Sequence, residues 1–175
     1  MNAVVFGIMA ASVPTPAVLP AYLVFAATMV TLTVTDLQTK LIPNRILAPA
    51  TIAGVLLLVA GGLVSREFAA IGHAAIGGIA YFLALFLLAM IGRGALGFGD
   101  VKMSFIIGVF TGYLSLGSVI IAGVGAFIIA GIVAVLLLVT RRSGRKDSIP
   151  FGPFMTTAAI MAIVYGPAIA EWYAR

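Results

Sequence analysis

The sequence predicts an all-α membrane protein, a polytopic bundle of about six transmembrane helices. Of its 175 residues, 63% are hydrophobic and only 9% are charged, and the mean hydropathy is +1.24. Soluble domains are about half apolar and about a quarter charged, so this composition indicates a protein of the bilayer. Six apolar runs qualify as spans, since a helix needs about 20 mostly apolar residues to cross the hydrocarbon core.

The first three predicted spans each meet a charged residue close to an end. They cover residues 17–35, 46–64 and 72–91. The first stops at Asp36, the second lies between Arg45 and Arg66, and the third is followed by Arg93. Because ionisable side chains are costly inside the bilayer, we place the membrane boundaries at these residues.

The last three predicted spans cover residues 101–113, 118–140 and 154–173. The fourth is short for a full crossing and opens beside Asp100 and Lys102, so we expect it to be tilted or to start in a water-accessible recess. The fifth ends just before a basic loop, and the sixth begins after a proline-containing segment. No linker or internal repeat divides the chain, and we therefore predict a single domain over residues 1–175.

The residues before the first span are also apolar. Met1 to Val13 could extend it, but Pro14, Pro16 and Pro20 interrupt the run, so we interpret this segment as an interfacial lead-in. The first basic residue is Lys40, and the N-terminus therefore lacks the positive segment of a cleavable signal peptide. We expect the first apolar run to stay in the mature protein.

Basic residues indicate how the bundle is oriented. The loops after the first, third and fifth spans contain Lys40, Arg45, Arg93, Lys102, Arg141, Arg142, Arg145 and Lys146. The opposite side has only Arg66 and Arg175, so we expect the first group on the cytoplasmic side and both termini on the other side. The formal net charge of +5 lies in these short loops and predicts orientation in membrane lipid, with no nucleic-acid partner.

Two aspartates, Asp36 and Asp100, lie where an apolar span meets a loop on the predicted cytoplasmic side. On position alone, each could be functional or could simply cap a helix or reach out to water. Two carboxylates that share one proton would supply both the base and the acid that peptide hydrolysis needs. We interpret the other acidic residues, Glu67, Asp147 and Glu171, as solvated groups in loops or at a span end.

Lysines and glycines accompany the two aspartates. Lys40 lies one turn beyond the first aspartate, and Lys102 closely follows the second. Either lysine would favour ionised carboxylates if it approached them. Gly97 and Gly99 flank Phe98 directly before the second aspartate, where they permit unusual backbone conformations and leave room for a substrate backbone.

Other chemistries find no support in the sequence. The single histidine, His73, opens the third span, and a helix of about 20 residues separates it from the aspartates by roughly 30 Å. The chain has no cysteine, no HExxH motif and no GxSxG motif. We therefore expect no metal site and no cofactor.

Three motifs together resemble conserved motifs of the prepilin peptidase family. Members of that family are GxGD-type intramembrane aspartic peptidases. The three motifs are Asp36-Leu-Gln-Thr-Lys-Leu-Ile-Pro-Asn, Gly97-Phe-Gly-Asp-Val-Lys and Pro150-Phe-Gly-Pro-Phe. The third motif has two readings that stay open, a rigid turn at the start of the sixth span and a wall beside the active site formed by Pro150, Phe151, Gly152 and Pro153. The resemblance covers residues 32–157 and implies that Asp36 and Asp100 are the catalytic pair.

The resemblance also implies a substrate and a location. The family removes a short basic leader from prepilins or pseudopilins, next to a hydrophobic helix that anchors the substrate, on the cytoplasmic side of the bacterial inner membrane. Long family members carry an N-terminal region with paired cysteines and N-methylate the product. The chain looks most like the short form that serves Flp or Tad-type pili, which implies cleavage without methylation. The oligomeric state is not implied.

Two functions from other classes compete with this one. A small transporter could use Asp36 and Asp100 as a proton or cation relay, because intramembrane acids and glycine-rich turns suit transport as well. A scaffold of a secretion system would need neither carboxylate. Replacing each aspartate by asparagine separates the three, since only a peptidase would lose precursor cleavage.

Overall fold

The computed structural model describes residues 2–13, 15–92, 96–140 and 150–173. These residues form seven α-helices and one short 3-10 helix, Pro16–Val18, and they contain no strand. The helices are α1 Asn2–Ser12, α2 Leu19–Thr39, α3 Asn44–Val64, α4 Phe68–Ile91, α5 Phe98–Leu114, α6 Leu116–Val139 and α7 Gly152–Tyr173. The predicted all-α class is confirmed, and a helix lies over each of the six predicted spans.

Four stretches among the described residues are long and apolar enough to cross a membrane. They are Pro16–Thr39, Asn44–Val64, Phe68–Ile91 and Leu116–Val139, which correspond to α2, α3, α4 and α6. Helix α5 has 17 residues and is shorter, as its sequence predicts. The division into six spans stays a prediction.

Two helix boundaries lie close to the aspartates. Helix α2 continues to Thr39, which places Asp36 in its last turn and agrees with the prediction that Lys40 lies one helical turn beyond it. Helix α5 begins at Phe98, before the predicted span, which places Asp100 in its first turn. An apolar run stops at the first polar side chain, whereas helical hydrogen bonding does not depend on apolar side chains. Lys40 ends α2 in the left-handed conformation, with φ 54°, and donates its N–H to Asp36 O at 2.8 Å.

The apolar lead-in before the first span is an ordered helix that contributes to the core. Helix α1 packs against α2 and α7, and its Met9 is fully buried. Because α1 has only 11 residues, it is too short to cross a bilayer. This length agrees with the prediction that the segment is not a separate span, while its interfacial position stays a prediction. The burial of Met9 is a feature that the sequence did not indicate.

Glycines set the spacing between α4 and α5. A Cβ atom on Gly77 would lie 2.6 Å from Gly108 O, and one on Gly112 would lie 2.7 Å from His73 O. These approaches show that the two helices run antiparallel with their backbones in close contact, as small residues in membrane helices predict. The first turn of α5 is thereby held in a fixed position beside α4.

The helices alternate in direction, so the bundle has two distinct ends. At one end α2, α4 and α6 finish and α3, α5 and α7 begin; we call this the site end because it carries both aspartates. The opposite end, which we call the far end, contains the turn between α3 and α4 and the turn between α5 and α6. Gly61 of α3 packs on Ala17 there.

Candidate active site

Asp36 is held against the start of α7. Its side chain is only 5% exposed, and its Oδ2 accepts a hydrogen bond of 2.9 Å from the backbone N–H of Gly152. A Cβ atom on Gly152 would lie 2.7 Å from the same oxygen. Glycine at this position therefore lets the backbone of α7 approach the carboxylate closely enough to donate to it.

The proline-containing segment before α7 is both a helix start and a neighbour of Asp36. The N–H groups of Phe154 and Met155 donate to Phe151 O at 3.1 and 3.2 Å, which begins the helix. Pro153 lies in the first turn, where its missing N–H costs nothing. The Phe151 ring packs 5.1 Å from the ring of Phe127 on α6, and Pro150 is half-buried beside it in the chain. The two readings of this motif are thus compatible.

A second polar contact joins α2 and α7 one turn deeper in the bundle. Thr33 donates its hydroxyl to Thr156 Oγ1 at 2.9 Å, and Thr156 is buried within 3.5 Å of Met29 O. The contact lies one helical turn from Asp36 on α2 and one turn from Gly152 on α7. Together with the Gly152 bond, it fixes α7 against the end of α2.

Asp100 is positioned by the turn that precedes it. Gly97 is the N-cap residue of α5, and its carbonyl accepts a hydrogen bond of 3.0 Å from the backbone N–H of Asp100. Asp100 is the third residue of α5, the position from which a carboxylate reaches back toward the N-cap in a capping box. A Cβ atom on Gly97 would lie 3.1 Å from Asp100 Oδ2, so the carboxylate lies beside the backbone of the N-cap residue. This position is compatible with the capping role that the sequence allowed.

Gly99 brings the turn between α2 and α3 onto α5. A Cβ atom on Gly99 would lie 2.9 Å from Ile42 Cβ, so a larger residue would push that turn away. Gly97 has φ −67° and ψ 140°, values that any residue adopts. The expectation that unusual backbone conformations require these glycines is wrong at Gly97, because close packing is what requires glycine there. Their role in admitting a substrate stays a prediction.

The two aspartates interact electrostatically. Burial and, to a smaller extent, the charge of Asp36 raise the pKa of Asp100, which precedes the predicted fourth span, to about 6, while the nearby backbone of Gly97 opposes both. The structure thus brings together the two carboxylates that the sequence paired, at one end of the bundle. Such a pair can hold one shared proton near neutral pH.

The two lysines make contacts of their own. Lys102 donates to Asn44 Oδ1 at 3.1 Å, and its ammonium lies 5.0 Å from the centre of the Phe98 ring. Lys40 is exposed and ends α2. These contacts link α3 to α5 and fix the end of α2, and an effect of either lysine on the charge of the aspartates stays a prediction.

His73 lies at the far end, away from the aspartates, as predicted. Its carbonyl is beside Gly112, and Gly112 is twelve residues along α5 from Asp100, a rise of about 18 Å. Within the described parts of the chain, no group of three or more His, Cys, Asp or Glu residues is arranged to hold a metal ion.

Glu67 and Tyr81 have surroundings that the sequence did not reveal. Glu67 accepts hydrogen bonds of 2.7 Å from Thr15 and from Tyr113, so its interpretation as a merely solvated loop residue is wrong. Tyr81 is 5% exposed, and among the described residues its hydroxyl has no hydrogen-bond partner. Neither feature has a local sequence signal, because both depend on contacts between distant helices. Asp147 and the side chain of Glu171 lie outside the described part.

Comparisons with known proteins identify relatives that match most of the chain. The model of a family described as the type IV leader peptidase family matches residues 23–139. The prepilin leader peptidase/N-methyltransferase of Aeromonas hydrophila is 32% identical over 152 residues, which are 83% of this chain and 49% of that protein. The protein of the same description from Bacillus subtilis is 33% identical over 155 residues, 87% of this chain and 58% of that protein.

The relatives are longer than the chain. It spans about half the length of the curated relatives that it matches. The matched range includes Asp36, Gly97 and Asp100 but stops before Gly152. No solved structure matches the chain.

Proposed function

The chain belongs to the type IV leader peptidase family, and from that membership we propose that it is an aspartic endopeptidase with Asp36 and Asp100 as its catalytic pair. Its substrates are prepilins or pseudopilins, from which it removes the short basic leader. Lys40, Gly97, Gly99, Lys102 and the segment Pro150, Phe151, Gly152 and Pro153 support the site. The reaction is cleavage without N-methylation.

The observation that carries this proposal is the pairing of two carboxylates across three helices. Asp36 at the end of α2 accepts a hydrogen bond from the backbone N–H of Gly152 at the start of α7. The charge of Asp36 raises the pKa of Asp100 at the start of α5. These residues are far apart in the sequence, and their helices approach each other at Gly99, which packs on the Ile42 side chain, and at Gly152, which packs on the Asp36 side chain.

The proposed mechanism uses the shared proton of the pair. The ionised aspartate accepts a proton as the water oxygen bonds to the scissile carbonyl carbon, and the protonated aspartate donates to the carbonyl oxygen. The C–N bond then breaks as the proton taken from water passes to the leaving amine, and one hydroxyl of the intermediate returns its proton to the other aspartate as the C=O bond re-forms. The raised pKa of Asp100 favours this residue as the holder of the shared proton, although the pair titrates as a unit.

The substrate reaches the pair from the membrane. A helical peptide exposes its carbonyl groups poorly, so the segment beside the hydrophobic helix of the prepilin unwinds at the site end. We assign this end to the cytoplasmic side of the inner membrane, with both termini on the other side, because the basic loops predict that orientation. Flp or Tad-type prepilins are the proposed substrate class.

The test is cleavage of a Flp-type prepilin co-expressed with the wild-type chain, Asp36→Asn or Asp100→Asn. Wild type should shorten the precursor, and both variants should leave it full-length at equal membrane levels. A variant that cleaves normally would exclude the pair as the catalytic centre. Glu67→Gln is the matched control, because it neutralises a carboxylate at the far end.

A further inference from the structure

The structure contains an apolar groove on the side of the bundle, between α3 and α4 with α5 as its floor. Its volume is about 680 Å³, within the range of about 300–1,000 Å³ typical of ligand sites. Leu47 and Ile52 of α3 face Ile79 and Leu83 of α4 across it, and Phe105 closes its base. We call it the lateral groove.

The polar residues of the lateral groove indicate its direction. Asn44 and Lys102 line it at the site end, where their side chains are hydrogen-bonded to each other. The remaining polar side chain on its described lining is that of Thr51. The Thr51 hydroxyl donates a hydrogen bond to Leu47 O within α3. From Asn44 to Ile52 the groove extends about 12 Å along α3, from a polar mouth into apolar surroundings.

The mouth of the lateral groove lies beside the paired carboxylates. Lys102 is two residues after Asp100 in the first turns of α5, and Asn44 begins α3 directly after the turn that packs on Gly99. A hydrophobic segment seated in the groove therefore leaves it next to the carboxylates. Large apolar side chains at its rim, Ile52, Ile79 and Leu83, are about half exposed or more.

We propose that the lateral groove binds the hydrophobic helix of the substrate and presents the preceding peptide to Asp36 and Asp100. This inference rests on the proposed function, since it assigns a place to that substrate. A helix laid along the groove would bury its apolar side chains between Ile52 and Ile79 while its N-terminal end emerged at Lys102. The continuity of the groove with the catalytic end favours this occupant over a lipid chain.

The absence of cysteine from the chain makes the test direct. Ala48→Cys in the groove should form a disulfide with a single cysteine in the prepilin helix, in an Asp36→Asn background that keeps the precursor uncut. Ile128→Cys on α6, which is likewise exposed but outside the groove, is the control and should not react. Equal reaction at both positions, or none at Ala48, would overturn the groove as the binding site.

A filling substitution separates this proposal from the proposed function. Ala48→Trp should raise KM for the prepilin about tenfold with kcat unchanged, whereas Ile128→Trp should change neither. If the Ala48→Trp variant cleaves the prepilin with the same KM as wild type, the groove is not the binding site, and the peptidase assignment stays intact. Phospholipid that co-purifies with wild type, and is lost in Ala48→Trp without any change in cleavage, would assign the groove to lipid instead.

A second, independent observation concerns the buried hydroxyl of Tyr81 on α4. A buried hydroxyl without a partner is unfavourable, and phenylalanine would fill the same space without that cost. The Tyr81 ring lies against α6 at Gly123, where a Cβ atom would be 3.3 Å from its Cε2. Asp100 interacts electrostatically with the Tyr81 hydroxyl.

The geometry points to Tyr81 as a positioning residue for Asp100. Its hydroxyl is the donor that turns to Asp100 once Asp100 has given its proton to the substrate carbonyl, and this role also rests on the proposed function. The resting pair does not need that donor, because Asp100 then holds the shared proton of the proposed mechanism. The tightly packed α4–α5 pair holds Tyr81 one turn deeper than the first turn of α5.

The test is Tyr81→Phe, which removes only the hydroxyl. We expect kcat for prepilin cleavage to fall about tenfold and KM to stay unchanged. The melting temperature should stay the same or rise slightly. Tyr165→Phe, at an exposed tyrosine of α7, should leave kcat unchanged. Gly123→Ala, which pushes against the ring, should also lower kcat. If wild type is active and Tyr81→Phe has the same kcat, Tyr81 does not have this role, and the proposed function is unaffected.

Discussion

The two ends of the bundle each hold a carboxylate that is removed from bulk water, and they satisfy it differently. At the far end, Glu67 accepts hydrogen bonds of 2.7 Å on both oxygens, from Thr15 and Tyr113. At the site end, Asp36 accepts from a backbone N–H of Gly152 and faces the charge of a second carboxylate, Asp100. Both arrangements join three segments of the chain.

The difference between the two ends lies in the partners of the carboxylates. Each oxygen of Glu67 has a neutral hydroxyl donor. At the site end, the charge of Asp36 disfavours ionisation of Asp100, and such coupling favours a proton that is shared by the pair. We therefore expect a structural role for Glu67 and, from the proposed function, a catalytic role for Asp36 and Asp100.

The largest effect should follow from disturbing the Asp36 contact without changing its charge. In Gly152→Ala the added Cβ would lie 2.7 Å from Asp36 Oδ2, so the carboxylate or the start of α7 must move. Because small displacements of reacting groups cost up to about 100-fold in rate, we expect cleavage to fall at least tenfold. The measurement is the initial rate of prepilin cleavage in detergent micelles.

The matched control for that substitution is Gly72→Ala on α4, where a Cβ would meet nothing within 4 Å. It should leave the cleavage rate unchanged. A Gly152→Ala protein that is as active as Gly72→Ala would show that the backbone contact to Asp36 is not needed, and the contrast between the two ends would then lose its main support.

A moderate effect, on stability and not on activity, should follow at the far end. Tyr113→Phe removes the hydroxyl that donates to Glu67 Oε2, so this half-buried carboxylate oxygen loses its hydrogen bond. Losing such a bond costs about 1–3 kcal/mol, so we expect a lower melting temperature with the cleavage rate within twofold of wild type. Loss of cleavage in a folded Tyr113→Phe protein would contradict a purely structural far end.

The sequence predicted the helices well and the contacts between them poorly. Apolar runs mark each of the helices from α2 to α7, since a bilayer demands such runs. The start of α5 at Phe98 lies before the apolar run that begins at residue 101, because helical hydrogen bonding does not depend on apolar side chains. The burial of α1 depends on Met9 meeting distant helices, and no local pattern encodes that.

The candidate site was recognised from its motifs, and its geometry was not. Asp36 and Asp100 could be paired from the sequence because both lie at span ends on the same predicted side. The hydrogen bond from Gly152 to Asp36 joins residues far apart in the chain, so only the folded arrangement reveals it. Tyr81 resembles any aromatic residue of an apolar run, and its unpaired hydroxyl is visible only among packed helices.

The smallest expected effect is a change in the titration of Asp100 that would quantify the coupling at the site end. The negative charge of Asp36 disfavours ionisation of Asp100 and so raises its pKa. In Asp36→Asn that charge is gone, and the pKa of Asp100 should fall from about 6 toward the usual value near 3.9. It should stay above that value, because burial is the larger cause.

Carbon-13 carboxyl labelling of aspartate can measure this shift, because the chain has only three aspartates, Asp36, Asp100 and Asp147. Wild type, Asp36→Asn and Asp147→Asn are titrated by NMR in micelles, and the last variant assigns the signals. Asp147→Asn should leave the pKa of Asp100 unchanged. If Asp36→Asn leaves it unchanged as well, the two carboxylates do not share a proton, and the site end holds two independent acids no different in kind from Glu67.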